Sequence, residues 1–340
     1  MLPPLPGTDP TSLYRLRDGL YAADLLTAAL VELDLFTCLH AQPADLETVC
    51  RTLHLVERPA DVAITLFKAM GLITTRGATL ALTDHARDHL VRTSPFFLGP
   101  YYASFRNRPI VRDFVQVLRT GRPSSWSATS SQPDWVTAMR DPAFAAQFTA
   151  AMDSRGLFLG RAVASAVDLG NRRALLDVAG GSGIYACCLV DRYAHLRATV
   201  LERPPVDAVS ADAIAYRGFA SRIAVHACDM FAGDWPDGHD VHLLSNVLHD
   251  WDVAAVSQLL ERSARALLPG GLVIIHDAHL DDDKTGPLPV AAYSALLMHS
   301  TEGRCYSASE MRQFLAAAGF SDVRFVPTVA DRSLITGIRL

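Results

Sequence analysis

The sequence predicts a doubly wound α/β sheet that ends in an antiparallel hairpin and follows a smaller, mainly helical domain. From residue 174 onward, short apolar runs alternate with helical patterns, as in a parallel sheet covered on both faces. Residues 175–190 read LLDVAGGSGIYACCLV, a buried strand followed by a glycine-rich turn and an apolar helix. The last two strand-like runs, 322–327 and 333–338, are too close in sequence for a crossover helix and must pair antiparallel.

The first hundred residues predict a helical domain with a small β-wing. Residues 14–39 are dense in leucine and alanine, so we expect this helical region to be buried in its own domain or, preferably, against a second subunit. Thr83 is placed to cap a helix that runs to residue 91. Two short helices and a strand pair are predicted over 44–55, 59–70 and 71–82. This order is typical of a winged-helix domain, which we assign to residues 1–100.

A winged-helix pattern raises the alternative of a DNA-binding regulator. The helix over 59–70 would be the reading helix, yet it carries one lysine, is preceded by Arg58 and is otherwise apolar or acidic. The formal net charge of −5 gives no electrostatic reason to bind nucleic acid. We therefore expect no nucleic-acid partner.

Composition indicates a globular, cytoplasmic protein. Half of the 340 residues are hydrophobic, but no uninterrupted apolar stretch approaches the length that spans a membrane. The first residues lack a basic segment followed by an apolar one, so no secretion signal is indicated. The 6 cysteines are scattered without a C-x-x-C pair, which predicts reduced, buried thiols.

A connecting region and a long helix join the two predicted domains. Residues 94–135 are rich in proline, arginine, serine and aromatic residues and predict a pocket-forming connection. One helix is predicted over 142–167, with Asp141 as its cap and Pro142 at its first position. We assign residues 101–170 to this linker and substrate-pocket segment.

Three side chains of the long helix share one face. Phe148, Met152 and Arg155 are spaced four and three residues apart. Core packing is sufficient to explain the phenylalanine and the methionine. Arg155 is less easily explained by packing and is a candidate for binding an anionic group of a substrate.

The turn at 180–183 has the fingerprint of a nucleotide-binding loop. Gly181, Gly183 and Ala186 fit the pattern G-x-G-x-x-[G/A], in which glycine permits positive φ and lets a ligand approach the backbone. Glu202 follows about 20 residues later, at the end of the next strand-like run, where a ribose-binding acid belongs. A tight turn without a ligand remains the alternative interpretation of the glycines.

Acidic and aromatic residues around the turn narrow the choice of nucleotide. Asp177 lies just inside the preceding strand, placed to meet a cationic or amino-bearing group, and Cys228-Asp229-Met230-Phe231 ends the third strand-like run. This combination resembles the S-adenosylmethionine site of class I methyltransferases more than a nicotinamide site.

The segment 246–252, Asn-Val-Leu-His-Asp-Trp-Asp, makes the resemblance specific. With it, the chain resembles the small-molecule O-methyltransferase family typified by plant caffeic acid and acetylserotonin enzymes, over nearly its whole length. The resemblance implies an S-adenosylmethionine-binding catalytic domain of the class I methyltransferase fold over 171–340, preceded by a winged-helix-like dimerisation domain. It therefore implies a homodimer that acts on a small molecule.

The same resemblance assigns residues to the cofactor. Gly181 and Gly183 would lie at the methionine moiety, and Glu202 would bind the ribose. The full set of residues implied at the cofactor is Asp177, Gly181, Gly183, Glu202, Arg203, Asp229, Met230, Phe231 and Ser245.

In that family the histidine of LHDW is a general base for a substrate hydroxyl, and this would be His249. Asp277 occupies the position of one of the acids that orient it. The second position departs from the pattern, because Cys305 stands where relatives commonly have a glutamate. Half of the usual support for the imidazole is thus expected to be missing, and a ring that is not fixed is a poorer base.

His299 suggests a different chemistry. His249, Asp250 and His299 have the composition of a two-histidine-one-carboxylate triad, which would bind a divalent iron, zinc or nickel ion. A branch resembling the family uses such a metal to methylate the β carbon of α-keto acids in peptide-antibiotic pathways, since the ion stabilises the enolate. We take this C-methylation as the first hypothesis.

Two alternatives to the first hypothesis remain. One is an O-methyltransferase of a phenolic or other hydroxyl substrate, with His249 as the base. The other is an inactive binding protein, which the presence of His249, Asp250 and Asp277 disfavours. In either active case the predicted pocket lies between the carboxyl edge of the sheet and the long helix. Its predicted lining is Phe105, Trp126, Phe148, Met152, Arg155, Leu297 and Met298.

Overall fold

The computed structural model describes residues 2–124 and 135–340. The chain divides into two compact units. The sheet unit contains residues 1–12, 131–279 and 308–340, and the helical unit contains residues 13–130 and 280–307. Trp126, one of the predicted pocket residues, lies outside the described residues.

The described part of the helical unit is a set of helices with one two-stranded wing. Strands β1 (Ile73–Arg76) and β2 (Thr79–Leu82) pair antiparallel. The Asp84–Leu90 helix follows, and the Thr83 side chain accepts a hydrogen bond from the backbone of Ala86, as predicted for a cap. The α-helices are Thr11–Asp18, Ala22–Thr27, Leu35–Ala41, Leu46–Leu53, Glu57–Ala69, Asp84–Leu90, Gly99–Tyr102, Pro109–Thr120 and Leu288–Ser300, with a π turn at Ala28–Glu32 and a 3₁₀ turn at Ala103–Phe105.

The predicted helical region 14–39 is interrupted in the structure. The first helix stops at Asp18, before Gly19, and the chain breaks again at Asp34, whose φ is 52°. Aspartate tolerates this left-handed conformation better than most residues, so the sequence can turn there without glycine. The helical character was predicted correctly, but not its division into short segments.

Seven strands form the central sheet. They are β3 (Ala174–Val178), β4 (Arg197–Glu202), β5 (Ile223–Ala227), β6 (Val241–Ser245), β7 (Leu272–Asp277), β8 (Phe320–Pro327) and β9 (Ser333–Arg339). The order across the sheet is β5-β4-β3-β6-β7-β9-β8, with β3 to β7 parallel and β9 antiparallel to both of its neighbours. The predicted doubly wound sheet with a C-terminal antiparallel hairpin is confirmed.

Helices cover the sheet between its strands. The long helix spans Pro142–Ala166, and Asp141 caps it by accepting a hydrogen bond from the backbone N–H of Phe144 at 2.8 Å, as predicted. The glycine-turn helix spans Ile184–Arg192. The other helical segments of the unit are Trp135–Ala138, Val206–Tyr216, the 3₁₀ turn Leu248–Asp250, Val253–Ala266 and Ala308–Ala317.

Glycines allow the long helix and the glycine-turn helix to pack closely. A Cβ on Gly156 would lie 2.5 Å from Cγ2 of Ile184, and one on Gly160 would lie 3.0 Å from Sγ of Cys188. Tyr185 fills the space beside both glycines. The backbone of the long helix is thereby brought next to the first turn of the helix that follows the glycine turn.

The described helices include none that is both long enough and apolar enough to cross a lipid bilayer.

Candidate active site

The strand order places the predicted site residues at one edge of the sheet. From β3 the chain moves outward in one direction to β4 and β5, and in the other direction to β6 and β7. The carboxyl ends of β3 and β6 therefore flank a topological switch point, where α/β sheets bind their ligands. Predicted site residues follow the carboxyl ends of four of these parallel strands, β3, β4, β5 and β6, and Asp177 and Asp277 lie inside β3 and β7 near those ends.

The glycine turn has the conformation that its sequence predicts. Gly181 and Gly183 have φ values of 58° and 71°, in the left-handed region that favours glycine. A Cβ on Gly183 would lie 2.9 Å from Cδ1 of Ile214, so packing also requires glycine there. A Cβ on Gly181 would meet nothing within 4 Å, which means that this side of the turn is open to a ligand.

Asp177 is a buried carboxylate beside the turn. It is 1% exposed, and neither of its oxygens has a hydrogen-bond partner among the described residues. A Cβ on Gly180 would lie 2.7 Å from Oδ2 of Asp177, so the glycine makes room for the carboxylate. Burial raises the pKa of Asp177 to about 7, and the backbone N–H of Ala186, which is not aligned well enough to count as a hydrogen-bond partner, opposes this only in part. Such an acceptor is suited to an amino or hydroxyl group of a ligand.

Glu202 is tied to the glycine turn. Its Oε2 accepts a hydrogen bond from the backbone N–H of Gly181 at 3.1 Å, and its Oε1 accepts one from the N–H of Arg203 at 2.9 Å. Burial raises the pKa of this carboxyl group. The acid at the end of β4 and the glycine turn after β3 are thus brought together, as the fingerprint predicts.

The segment after β5 provides an exposed acid and an aromatic ring. Asp229 is exposed and accepts a hydrogen bond from the N–H of Phe231 at 2.8 Å, and the carbonyl of Met230 accepts one from Nε1 of Trp235 at 3.0 Å. The ring of Phe231 meets that of Trp251 edge to face, with centroids 4.7 Å apart. An exposed acid and a pair of aromatic rings therefore follow the carboxyl end of β5.

A polar network that the sequence analysis did not identify follows β6. Because Ser245 pairs with His276 across β6 and β7, its hydroxyl lies 3.0 Å from Nδ1 of that histidine. Asn246 Nδ2 donates to the Ser245 hydroxyl and to the Tyr185 hydroxyl, each at 3.1 Å, while its buried Oδ1 has no partner among the described residues. Asn246 has a positive φ of 54°, a backbone conformation that the sequence around it does not indicate.

His249 is held between two carboxylates. Its Nδ1 lies 2.5 Å from Oδ1 of Asp277, and its Nε2 lies 3.6 Å from Oδ1 of Asp250. Burial alone would lower the pKa of this imidazole, but the charges of Asp277 and Asp250 outweigh it, and the pKa is raised. The same pairing holds the pKa of Asp277 well below its usual range despite burial. Asp277 orients this imidazole, and both carboxylates stabilise its protonated form, as a general base requires.

The long helix brings a cation to this edge. The positive charge of Arg155 acts on His249, Asp250 and Tyr185, and its effect is to lower the pKa of each. The neighbouring Gly156 packs beside the ring of Tyr185, which places this turn of the helix next to the polar network. Phe148 and Met152 are half-buried on the same helix, and Phe148 stacks on Phe144 with centroids 6.4 Å apart.

Comparison with known proteins identifies the family. A family model described as an O-methyltransferase domain matches residues 111–321. A 3-hydroxy-5-methyl-1-naphthoate 3-O-methyltransferase from Streptomyces sahachiroi is 34% identical over 320 residues, which cover 93% of this chain and 91% of the relative. The bovine acetylserotonin O-methyltransferase is 32% identical over 90% of this chain and 91% of its own length.

The chain belongs to the O-methyltransferase family.

Solved structures agree with this assignment. An O-methyltransferase family 2 protein from Planctomyces limnophilus, determined with apigenin, superposes with a TM-score of 0.89 at 34% identity and covers 99% of this chain and 98% of its own. Human N-acetylserotonin methyltransferase, determined with S-adenosylmethionine, superposes with a TM-score of 0.61 at 25% identity, over 98% of this chain and 99% of its own. The family resemblance stated from the sequence is confirmed, and the protein is an S-adenosylmethionine-dependent methyltransferase.

The residues of this O-methyltransferase fit that cofactor. A buried carboxylate without a partner, Asp177, and an open face at Gly181 provide a polar acceptor and space at the same turn. Glu202 and the Phe231 ring stand at the ends of the next two strands. The roles of the individual cofactor residues, including Arg203, Met230 and Ser245, stay predictions.

The predicted metal triad of the O-methyltransferase is not supported. His299 lies in the helical unit, where its Nε2 is 3.3 Å from Oδ2 of Asp113 and its ring packs against Tyr21. Within residues 2–124 and 135–340, no three histidine, cysteine, aspartate or glutamate side chains are grouped to hold a metal ion. This corrects the predicted iron, zinc or nickel site, because the described side chains of His249, Asp250 and His299 do not come together as a ligand set.

The remaining predicted residues lie in the helical unit. Met298 and Leu297 are buried in the Leu288–Ser300 helix, and Phe105 is 46% exposed. Cys305 is fully buried, and its backbone N–H donates to Oγ of Ser294 at 3.1 Å. The predicted part of Met298, Leu297 and Phe105 in the pocket stays a prediction.

Proposed function

We propose that this enzyme transfers a methyl group to a phenolic oxygen of an aromatic acceptor in secondary metabolism, with His249 as general base. The observation that carries the proposal is the buried His249–Asp277 pair at the carboxyl ends of β6 and β7, with Nδ1 and Oδ1 2.5 Å apart. The relatives support oxygen as the acceptor atom, since they are O-methyltransferases that include the tetracenomycin 8-O-methyl transferase from Streptomyces glaucescens, 29% identical over 332 residues. C-methylation of an α-keto acid, our first hypothesis, is less well supported, because the relatives are O-methyltransferases and the described residues do not form the metal site that it requires.

The protein side chains perform the proton chemistry. When bound, S-adenosylmethionine supplies a methyl group activated by its sulfonium. His249 accepts the proton of the acceptor hydroxyl at Nε2, since Nδ1 is directed at Asp277. Asp277 fixes the tautomer and stabilises the imidazolium that results. Asp250, 3.6 Å from Nε2, adds to this stabilisation.

The acceptor that we propose carries a carboxylate as well as a hydroxyl group. Arg155 supports this, because its positive charge acts on His249 and Asp250 from the long helix. An arginine side chain binds carboxylates well, through paired hydrogen bonds. The naphthoate named for the relative from Streptomyces sahachiroi has both groups.

A panel of acceptors tests the proposal. Purified enzyme and labelled S-adenosylmethionine are incubated with hydroxynaphthoates and hydroxybenzoates, with the matching phenols that lack a carboxylate, and with α-keto acids with and without added metal ions. We expect methylated hydroxyaryl carboxylates, and a KM that rises tenfold or more in Arg155→Gln for these acceptors but not for neutral phenols. Arg161→Gln, on the same helix and paired with Asp191, is the matched control. Turnover of α-keto acids alone would contradict the proposal.

A further inference from the structure

The glycine turn is held from the long helix as well as from the sheet. Ser182, which is 5% exposed, donates its hydroxyl hydrogen to Oδ1 of Asp153 on the long helix. The second oxygen of this carboxylate, Oδ2, lies 2.5 Å from Nη2 of Arg217. Arg217 is the residue directly after the Val206–Tyr216 helix. One half-buried carboxylate therefore joins three elements around the turn.

The other contacts of the turn come from different elements. The N–H of Gly181 donates to Glu202 at the end of β4, and the carbonyl of Gly181 accepts from the Ser210 hydroxyl on the Val206–Tyr216 helix. These two contacts hold the turn against the sheet and the helix behind it. The contact through Asp153 instead fixes the turn relative to the long helix.

The long helix packs closely on the glycine-turn helix. Gly156 and Gly160 bring its backbone against Ile184, Tyr185 and Cys188, and the Asp153 contact adds a polar connection to the glycine turn itself. The charged hydrogen bonds of Asp153 are directional and stronger than neutral ones. Met152 and Arg155, the predicted acceptor residues, lie within two positions of Asp153 and move with it.

We propose that Asp153 is a positioning residue that fixes the long helix, and the acceptor it faces, relative to the cofactor turn. This inference rests on the proposed function, in which the acceptor lies along the long helix. Methyl transfer requires the acceptor oxygen, the methyl carbon and the sulfur in line, and a misplacement of about 1 Å can cost on the order of 100-fold in rate. Loss of Asp153 should therefore affect turnover more than cofactor binding.

Two variants and a control isolate this effect. Asp153→Asn keeps an acceptor for the Ser182 hydroxyl but removes the charge that binds Arg217, and Ser182→Ala removes the other half of the contact. The control is Asp191→Asn, which breaks the Arg161–Asp191 ion pair between the long helix and the glycine-turn helix; this pair is 3.3 Å long and its side chains are 24% and 27% exposed. Both ion pairs are similarly exposed, but the control does not touch the turn.

Turnover and cofactor affinity are measured together. We expect Asp153→Asn to lower kcat at least tenfold while the Kd for S-adenosylhomocysteine, from calorimetry, changes less than threefold. Asp191→Asn should change both less than twofold. In a double-mutant cycle, adding Ser182→Ala to Asp153→Ala should lower kcat much less than Ser182→Ala does in the wild type, because Asp153→Ala has already removed the contact that the two residues share. Weaker cofactor binding with unchanged kcat, or equal behaviour of both aspartate variants, would overturn the proposal.

Hydrogen exchange separates this inference from the proposed function. If the wild-type enzyme methylates no hydroxyl acceptor, the proposed function fails, and exchange still decides the role of Asp153. In the cofactor-free protein, Asp153→Asn should speed exchange of the amides of residues 181–186 about tenfold, and Asp191→Asn should not. Equal exchange in both variants would show that the carboxylate does not fix the turn.

Discussion

At the scale of single residues, the chemistry depends on the protonation of His249. The carboxylates of Asp277 and Asp250 raise its pKa above the ordinary value of 6.5, against the effect of burial. Since only the neutral imidazole accepts a proton, kcat/KM should rise with pH and reach a plateau above that raised pKa.

Asp277→Asn tests this pairing. Removing the negative charge should lower the pKa of His249, so the rise in kcat/KM moves to lower pH. The plateau should fall by 100-fold or more, because the imidazolium loses its support. A pH–rate profile of the variant and the wild type checks both changes together. A lower plateau with an unmoved rise would contradict the assignment of His249 as the titrating base.

Asp177 should couple cofactor binding to proton release. Burial raises its pKa to about 7 in the free protein, so at pH 6 its carboxyl group is mostly protonated. A cofactor amino group that pairs with the carboxylate lowers this pKa, and the proton leaves. Calorimetry of S-adenosylhomocysteine binding at pH 6, in buffers of different ionisation enthalpy, should show release of a large fraction of one proton. Asp177→Asn should bind S-adenosylhomocysteine without releasing this proton. Equal proton release in the variant and the wild type would contradict this role of Asp177.

Candidate site residues near the ends of strands were predictable from the sequence, whereas those that depend on backbone conformation or on a distant contact were not. Glu202 was predictable from the nucleotide-binding fingerprint and Asp277 from the resemblance to the O-methyltransferase family, and parallel strands bring both to one edge of the sheet. Asn246 and Asp153 were not, because their importance lies in a positive φ and in a contact with Ser182, 29 residues away. His299 was misassigned because composition alone does not show that its ring faces Asp113.

At the scale of elements, the approach of the long helix to the glycine-turn helix depends on glycine. Gly156→Val would place side-chain atoms where Cγ2 of Ile184 lies 2.5 Å from the first added carbon. We expect a loss of about 1–3 kcal/mol in the free energy of unfolding, from overpacking. Ser154→Ala, at an exposed position of the same helix, should change it by less than about 0.5 kcal/mol. Denaturant unfolding measures both, and equal stability of both variants would contradict the packing argument.

Element boundaries were predictable where capping residues mark them. The long helix begins at Pro142 after the Asp141 cap, as predicted, and ends one residue earlier than expected, at Ala166. The 14–39 region was predicted as helical throughout because its apolar residues are continuous. The break at Asp34 has no comparable signal, since aspartate is also common inside helices near their first turn.

At the scale of the whole molecule, the alternation of strands and helices was sufficient to predict the sheet and its final hairpin. The set of segments that form the helical unit was not predictable, because it includes residues 280–307, which are far along the chain from residues 13–130. The boundaries at residues 100 and 170 stay predictions.

The predicted homodimer has a candidate surface in the first helix and the turn after it. Leu13, Leu16 and Leu20 are three and four residues apart and 67%, 74% and 61% exposed, an apolar stripe that a second subunit would cover. We expect the wild-type protein to sediment as a dimer and Leu16→Glu to sediment as a monomer. Leu268→Glu, at a 44% exposed leucine of the sheet unit, is the control and should remain dimeric. A monomeric wild-type protein would contradict this prediction.

The central claim, methyl transfer to a phenolic oxygen promoted by His249, is tested most directly by the position of the transferred carbon. Enzyme prepared without a polyhistidine tag is incubated with ¹³C-methyl S-adenosylmethionine, a hydroxynaphthoate and a metal chelator, and the product is examined by NMR. The account predicts a labelled aryl methyl ether, formed equally well with and without chelator and at least 100-fold more slowly by His249→Gln. A label bound to carbon, or a methyl ether formed as fast by His249→Gln, would contradict it.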